Sequence, residues 1–257
     1  MTAGEQFVAF LTILRKEIRR FLRIWPQTLL PSAITMSLYF VIFGSLIGSR
    51  IGQMDGFTYM EFVVPGLIMM AIVTNSYNNV VSSFFGSKFN HSIEELLVSP
   101  TPNYVILMGF VTGGVIRGLL VAMIVTGVSL FFTRLQIHSL AVVVMGVFLT
   151  SVLFALAGFI NAVFANSFDD ISIIPTFVLT PLIYLGGVFY SLDMLPDFWA
   201  GVSKLNPLVY VVNAFRYGVL GAADVSVGFA FAMLGGFTLA AFTYSMYLLN
   251  SGTRLRQ

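Results

Sequence analysis

The chain has 257 residues, of which 58% are hydrophobic and 9% are charged, whereas a typical soluble domain carries about 25% charged residues. So few charges cannot cover a water-exposed surface, which excludes an ordinary soluble protein and favours a membrane protein. The net charge of +2 argues against a nucleic-acid partner, and the absence of cysteine excludes disulfides, thiolate catalysis and cysteine-ligated metals.

The first 25 residues predict an amphipathic helix. Apolar residues recur at helical spacing on one side, and the other side carries Arg15, Lys16, Arg19, Arg20 and Arg23. The positive charges follow the first apolar residues and no small-residue cleavage site is present, which argues against a cleaved signal peptide. We expect a cytoplasmic interface helix that lies on the membrane and contacts a partner. The alternative is a topology signal that happens to be helical.

Long intervals without charge predict six transmembrane helices, since a span needs about 20 apolar residues. The predicted spans cover residues 28–47, 62–84, 104–132, 140–164, 173–189 and 228–249. Pro175 and Pro181 predict a kink or partial unwinding in the fifth span. No linker interrupts the chain, so we expect one all-α, polytopic membrane domain over residues 1–257. In it, residues 1–25 form the interface helix and residues 26–257 the six-helix domain.

The distribution of lysine and arginine predicts the orientation of these spans. Eight basic residues lie on one side, namely Arg15, Lys16, Arg19, Arg20, Arg23, Lys88, Arg254 and Arg256. Four lie on the other, namely Arg50, Arg134, Lys204 and Arg216. Both termini are therefore expected in the cytoplasm. The apolar stretch 190–227 then lies on the outer side, where we expect a re-entrant loop between the fifth and sixth spans.

Two groups of polar residues lie inside the predicted spans. Arg117 lies midway along the third, where an unpaired arginine costs at least about 2.5–3.5 kcal/mol. Asn75, Asn78 and Asn79 share one face of the second span. Either group could line a hydrated substrate path or lock neighbouring helices together. The glycines near the arginine, which allow close helix contact, are Gly109, Gly113, Gly114 and Gly118.

The segment IEELLVSPTP at 93–102 follows the second span on the cytoplasmic side. Ser92 and Glu95 have the spacing of a capping box, and two prolines end the helix that it starts. The pattern predicts a short helix with Leu96 and Leu97 exposed. Exposed apolar residues outside the bilayer indicate docking to another protein. The alternative is a short helix that lies on the bilayer.

Motifs of catalysis and of energy coupling are absent from the sequence. There is no G-x-x-x-x-G-K-[ST] phosphate loop and no H-E-x-x-H or G-x-S-x-G motif. The predicted spans contain no Asp, Glu or His that could carry a coupling proton. We therefore expect a pathway without its own energy source, which is not an enzyme and has no metal or cofactor of its own.

Two further stretches are YLGGVFYSLDMLP at 184–196 and LNPLVYVVNAFRYG at 205–218. With IEELLVSPTP, they make the chain resemble, over nearly its whole length, the permease subunits of the ABC-2 type family of ATP-binding-cassette exporters. The resemblance implies a bacterial inner-membrane protein in which two copies pair with two cytoplasmic ATPase subunits that bind the ATP. It also implies export of a lipid, a glycan or an amphiphile.

The same resemblance implies two sets of site residues. ATPase coupling would fall to Ile93, Glu94, Glu95, Leu96 and Leu97. The outer gate would fall to Tyr190, Pro196, Asn206, Pro207 and Arg216. Two other functions stay open, a self-contained channel or facilitator and a membrane-embedded enzyme that acts on lipid. The enzyme would need a convergent set of catalytic side chains, which the spans lack.

Overall fold

The computed structural model describes residues 1–54 and 56–252, apart from the side chains of Ser45 and Ser49. Arg254 and Arg256, which entered the topology count, lie outside the described residues. The α-helices are α1 (Ala3–Arg23), α2 (Trp25–Thr28), α3 (Leu30–Tyr39), α4 (Gly48–Ile51), α5 (Tyr59–Phe89), α6 (Ser92–Val98), α7 (Asn103–Ser129), α8 (Leu140–Phe164), α9 (Asp170–Ile174), α10 (Thr180–Tyr184), α11 (Asp197–Ser203), α12 (Pro207–Leu220) and α13 (Val227–Ser251). The other elements of the described residues are two π-helical segments (Phe40–Ile47 and Pro175–Leu179), one 3-10 turn (Leu192–Met194) and an antiparallel hairpin of β1 (Gln53–Met54) and β2 (Phe57–Thr58).

An all-α membrane protein is confirmed by five helices that are long and apolar enough to cross a bilayer. They are Trp25–Gly44, Tyr59–Phe89, Asn103–Ser129, Leu140–Phe164 and Val227–Ser251. Each overlaps one of the predicted spans. The segment predicted as the fifth span instead holds a shorter apolar helix, Asp170–Tyr184.

α5 forms the centre of the bundle and packs against α7, α8 and α12. Three buried rings join α5, α7 and α8. The ring centroid of Phe84 on α5 lies 5.2 Å from that of Phe110 on α7 and 4.4 Å from that of Phe159 on α8. A capping box begins α5, because Glu61 accepts the Thr58 N–H at 2.9 Å while the Thr58 hydroxyl faces the Glu61 N–H. This fixes the helix at the end where the hairpin lies.

The bundle has two ends, which we name by their residues. At the proximal end lie α1, α6 and the end of α13, and there Asn103 Nδ2 donates to Asn250 Oδ1 at 2.9 Å. At the distal end lie the hairpin, the loop 130–139 between α7 and α8, and the segment 185–226 that holds α11 and α12. The chain from α9 to α10 runs to the distal end, where the Tyr184 hydroxyl lies 3.4 Å from that of Tyr39.

The prolines at 175 and 181 disturb the helix there, as the sequence predicts. Pro175 has no N–H and leaves the carbonyl of Ile171 without its helical donor. Asn161 Nδ2 of α8 supplies that donor at 3.2 Å. The following residues, Pro175–Leu179, are wound as a π-helix, and the Thr180 hydroxyl donates to the Pro175 carbonyl at 2.8 Å. The distortion is therefore built into the packing of α9 on α8.

Glycines of α7 let three helices approach it closely. An ideal Cβ on Gly109 would lie 2.5 Å from Ile13 Cγ2, and one on Gly113 would lie 2.7 Å from Glu17 Cβ. These two glycines therefore seat α1. Gly114 seats α5, since its Cβ would lie 2.6 Å from Val80 Cγ2, and Gly118 faces serines of α5 and α8.

Candidate functional site

The segment after α5 folds at the proximal end as α6. Ile93 has no exposed surface, and Leu96 and Leu97 are half-buried against the core. The prediction that both leucines are exposed is therefore wrong, because α6 packs against α5. The side chains that face outward are Glu95 and, 83% exposed, Val98. Glu94 is half-exposed, with its Oε1 3.0 Å from His91 Nδ1.

The capping box predicted at Ser92 and Glu95 is also wrong. α6 begins at Ser92, after His91 turns the chain with a left-handed φ of 58°. The Ser92 hydroxyl donates to the carbonyl of Ser87 at 3.2 Å, and so it points to α5 instead of capping α6. This bond fixes the start of α6 to the last turns of α5.

A buried carboxylate of α1, which the sequence interpretation did not single out, joins that helix to α5. Glu17 has no exposed surface, and its Oε1 accepts a 2.6 Å hydrogen bond from the Ser83 hydroxyl. Its Oε2 lies 3.3 Å from Arg20 Nη2, which also donates to the carbonyl and Oδ1 of Asn79 at 2.9 Å each. The spacing in the sequence could have indicated this burial, because Glu17 lies four residues from both Ile13 and Phe21 and therefore on the apolar side of α1.

Arg117 and Asn75 form a second polar connection, closer to the distal end. Arg117 Nη2 donates to the carbonyl of Thr28 at 3.0 Å and to Asn75 Oδ1 at 3.1 Å. The Asn75 amide donates in turn to Ser32 Oγ and to the carbonyl of Ala71, both at 2.9 Å. The contacts connect α7 and α5 with the start of the first span.

Asn78 differs from its two neighbours. Its side chain is half-exposed, and it forms no hydrogen bond within residues 1–54 and 56–252. From Leu67 to Lys88, α5 is buried except at every fourth residue, and Asn78 is the middle of that half-exposed stripe. We call these positions the α5 stripe: Met70, Thr74, Asn78, Ser82 and Gly86. The three asparagines that share a predicted face therefore separate into two bonded side chains and one open one.

Arg216 lies at the centre of the distal end. It is 1% exposed, its guanidinium carbon lies 3.8 Å from the centroid of the Phe62 ring, and Nη2 donates to the Gly187 carbonyl at 2.6 Å. Nη1 lies 3.9 Å from Asp224 Oδ2, which also accepts the Leu192 N–H at 3.0 Å. Arg216 thus holds the chain ahead of the 3-10 turn through Gly187, and the start of that turn through Asp224, while its guanidinium stacks on Phe62 of α5.

The other predicted gate residues lie in the same distal segment. Asn206 caps α12 by accepting the Leu208 N–H at 3.0 Å and donates to the Leu182 carbonyl at 2.6 Å, which ties α12 to α10. Pro207 is the first residue of α12, and Pro196 is the exposed residue before α11. Tyr190 is half-buried, and burial raises the pKa of its hydroxyl.

A cluster of five aromatic rings, which the sequence analysis missed, closes the distal end between the first span, α5 and α10. Phe189 lies at its centre, 4.7 Å from Phe43 and 5.6 Å from Tyr184 between ring centroids. Tyr59 donates its hydroxyl to the Phe189 carbonyl at 3.2 Å, and Tyr39 completes the cluster through its contact with Tyr184. Apart from the Phe189 carbonyl, ring faces and hydroxyls make up these contacts.

The described part of the chain has no group of three or more His, Asp or Glu side chains that could hold a metal ion. Its buried basic side chains bind backbone carbonyls. Lys88 Nζ, for example, donates to the carbonyls of Val163 and Ala165 at 2.9 and 2.8 Å and so holds the end of α8. These contacts position helices.

Comparison with known proteins agrees with this architecture. Residues 8–220 match the pattern of the ABC-2 type transporter family. Over 250 residues, 97% of this chain and 98% of the relative, the sequence is 58% identical to the inner membrane transport permease YadH of Escherichia coli (strain K12). Over 216 residues, 82% of this chain and 81% of the relative, it is 24% identical to nodulation protein J of Rhizobium meliloti (strain 1021). The resemblance inferred from the motifs is thus confirmed, and the chain belongs to the ABC-2 type transporter family as a membrane-spanning permease subunit.

Proposed function

We propose that the chain is the permease subunit of an ABC exporter in a bacterial inner membrane. Two copies, driven by two cytoplasmic ATPase subunits that bind the ATP, move a lipid, a glycan or another amphiphile outward. The name of the 58% identical relative, an inner membrane transport permease, supports the location. The observation that carries the proposal is the position of α6, which is anchored by buried Ile93 and directs Glu95 and Val98 away from the bundle.

Six membrane crossings with both termini in the cytoplasm fit the course of the chain. Lys88, near the end of α5, binds the end of α8, and Asn103, at the start of α7, binds the end of α13. Both α8 and α13 therefore end proximally, so the chain between them has to return to the distal end. We assign that crossing to Asp170–Tyr184, and we assign α11 and α12 to a re-entrant loop on the periplasmic side.

The α5 stripe is the proposed substrate path. Thr74 and Ser82 satisfy their hydroxyls on their own helix, but the Asn78 amide would lack partners if lipid covered it, which is costly in hydrocarbon. If a second copy of the chain faced the stripe, the two copies would instead enclose a polar passage between them. Asn75, Asn79 and Arg117 are proposed as helix locks, because each of them bonds to a neighbouring element.

ATP-driven movement would reach the stripe through short connections. The ATPase would contact Glu94, Glu95 and Val98, with Leu96 and Leu97 at the edge of the contact. The bond from Ser92 to Ser87 would pass the movement of α6 to the end of α5, and the bond from Ser83 to Glu17 would pass it to α1. The distal aromatic cluster, together with the segment that holds Tyr190 and Arg216, would form the outer gate.

Co-purification in mild detergent tests the proposal. We expect the tagged chain to retain a soluble nucleotide-binding subunit whose ATPase activity it stimulates, and we expect the double variant E94K/E95K to lose both. The matched control is D193K/D197K, which makes the same charge change at exposed positions of the distal end. Equal binding and stimulation by E94K/E95K would overturn the coupling assignment. Solute conduction by the purified chain without nucleotide would support a self-contained channel instead.

A further inference from the structure

A polar cavity of about 370 Å³ opens at the distal end, apart from the α5 stripe. Glu61, Arg134, Gln136 and His138 supply its polar lining. Within the described part of the chain, Arg134 forms no ion pair or hydrogen bond. Glu61 uses Oε2 for the Thr58 N–H and hydroxyl, and its Oε1 has no partner there. The cavity therefore presents one cationic and one anionic group that do not neutralise each other.

An apolar groove of about 560 Å³ lies among α5, α7, α8 and α12. Ile68, Val143 and Phe215 line it, together with further apolar side chains and Gly127, and Thr126 is its one polar residue. All of these belong to the distal parts of membrane-spanning helices or to α12. At this depth the groove is open to the hydrocarbon of the bilayer and is large enough to hold a ligand of small-molecule size.

The polar cavity and the groove are stacked along the same helix faces. Glu61 and Ile68 are seven residues apart on α5, which is two helical turns and about 10 Å. Phe215 and Val219 of α12 are one turn apart, with the first in the groove and the second in the polar cavity. The loop 134–138 lines the polar cavity, and the helix ends that it joins line the groove. Because the polar cavity and the apolar groove follow each other along α5, α12 and this loop, a ligand with a polar end and an apolar chain would reach both, and we name the pair the composite cavity.

We propose that this composite cavity binds a phospholipid with a zwitterionic headgroup. One acyl chain occupies the groove, the headgroup phosphate binds Arg134, and the headgroup ammonium binds Glu61. Gln136 and His138 supply further hydrogen bonds at the rim. The depth order of the cavity matches that of a lipid in the leaflet at the distal end, which is the periplasmic leaflet if the proposed topology holds.

Charge complementarity selects this occupant. A purely anionic lipid would place its phosphate close to the Glu61 carboxylate, and like charges repel at short range. An apolar molecule without a headgroup would leave Arg134 and Glu61 unused. A helix of a partner protein would match the groove but not the paired charges above it.

A substitution at Gly127 tests the apolar groove separately from the polar cavity. A Cβ at this position meets nothing within 4 Å, so the side chain of G127L starts without a clash and extends into the groove that Gly127 lines. G236L on α13 is the matched control, because its Cβ also meets nothing within 4 Å and the residue is exposed outside the groove. For the headgroup, R134A removes the cation, and E61Q removes the charge but keeps an acceptor for the capping box.

Native mass spectrometry of the detergent-purified chain, titrated separately with phosphatidylethanolamine and phosphatidylglycerol, tests the proposal. We expect one tightly held phosphatidylethanolamine per chain, at least threefold less retention in R134A and G127L, and wild-type retention in G236L. E61Q should shift the preference toward phosphatidylglycerol. Equal retention in all variants would overturn the site, and wild-type preference for phosphatidylglycerol would overturn the zwitterionic assignment. Neither result depends on the ATPase.

Discussion

Glu17 and Gly113 lie so close that a Cβ on the glycine would stand 2.7 Å from the Cβ of the glutamate. α1 therefore runs alongside the first half of α7, with exposed Arg15 and Arg19 on its outer side. Because exposed arginines lie at headgroup level in membranes, we infer that the first turns of α7 lie at that level too. Arg117, one turn after Gly113 and at the middle of α7, donates to the Thr28 carbonyl and to Asn75 Oδ1, and these partners offset part of the cost of its charge.

Adding one methyl group to this contact should loosen α1. G113A and G109A force a Cβ against Glu17 and Ile13, which overpacks the contact at a cost of about 1–3 kcal/mol. The better helix propensity of alanine returns up to about 1 kcal/mol. We expect a lower midpoint of thermal unfolding in detergent and faster proteolysis of α1.

The control for this prediction is G236A on α13, whose Cβ meets nothing within 4 Å and which lies outside the groove. It should leave the midpoint unchanged or raise it slightly. Equal midpoints for G113A and G236A would contradict the close packing of α1 on α7.

Truncation of Glu17 should destabilise the protein more than neutralisation does. E17A leaves the buried Ser83 hydroxyl without its acceptor and Arg20 without its carboxylate, at a cost of about 1–3 kcal/mol. E17Q keeps an acceptor for Ser83 and should lose less, since Arg20 is 27% exposed and still meets Asn79. Unfolding midpoints of both variants check this order, and equal losses would contradict it.

The sequence predicts the long spans well because hydrophobic length alone decides them. It also predicts the disturbance at Pro175, because proline removes a backbone donor wherever it occurs. It does not reveal that Asn161 satisfies the freed carbonyl of Ile171, since that bond depends on how α9 lies on α8. The shorter Asp170–Tyr184 helix has the same origin, because the turn at Gly187 that follows it is held by Arg216 of α12, and Val188 packs against Gly66 of α5.

The predicted site also has features that follow from the sequence and features that depend on how the helices pack. The position of the segment at 93–102 follows from its pattern, but the burial of Leu96 and Leu97 does not, because α5 covers them. Capping at Ser92 fails because the left-handed turn at His91 redirects the serine. Asn75 and Asn78 look equivalent in sequence. The positions of Ser32 in the first span and of Arg117 in α7 decide which of them is bonded to another helix.

Arg117 and Asn75 should behave as one unit in a double-mutant cycle. Replacing either with leucine or alanine breaks the same 3.1 Å bond, so the losses in unfolding free energy for R117L and N75A should not add. We expect a coupling of about 0.5–3 kcal/mol. Additive losses, measured by denaturant or thermal unfolding, would contradict a shared lock.

Asn78 should affect transport without affecting stability. N78L removes an amide that has no hydrogen bond in the described structure, so the unfolding midpoint should stay within the range of surface substitutions, about ±0.5 kcal/mol. Transport by the assembled complex in vesicles should fall, because the proposed path becomes apolar. N75L is the contrasting variant and should lose stability. Unchanged transport in N78L would remove the α5 stripe from the path.

Removing the hydroxyl contact between Tyr39 and Tyr184 should open the distal end more often. The two oxygens lie 3.4 Å apart, and Y39F or Y184F leaves the rings in place while it removes the bond between the first span and α10. The chain has no native cysteine, so a single T74C in the α5 stripe reports access with a membrane-impermeant maleimide. We expect labelling from the distal side to rise about tenfold for each 1.4 kcal/mol by which the closed state is weakened. The control is Y247F, an exposed tyrosine of α13 outside the cluster, and equal labelling in Y39F and Y247F would show that the aromatic cluster does not close the path.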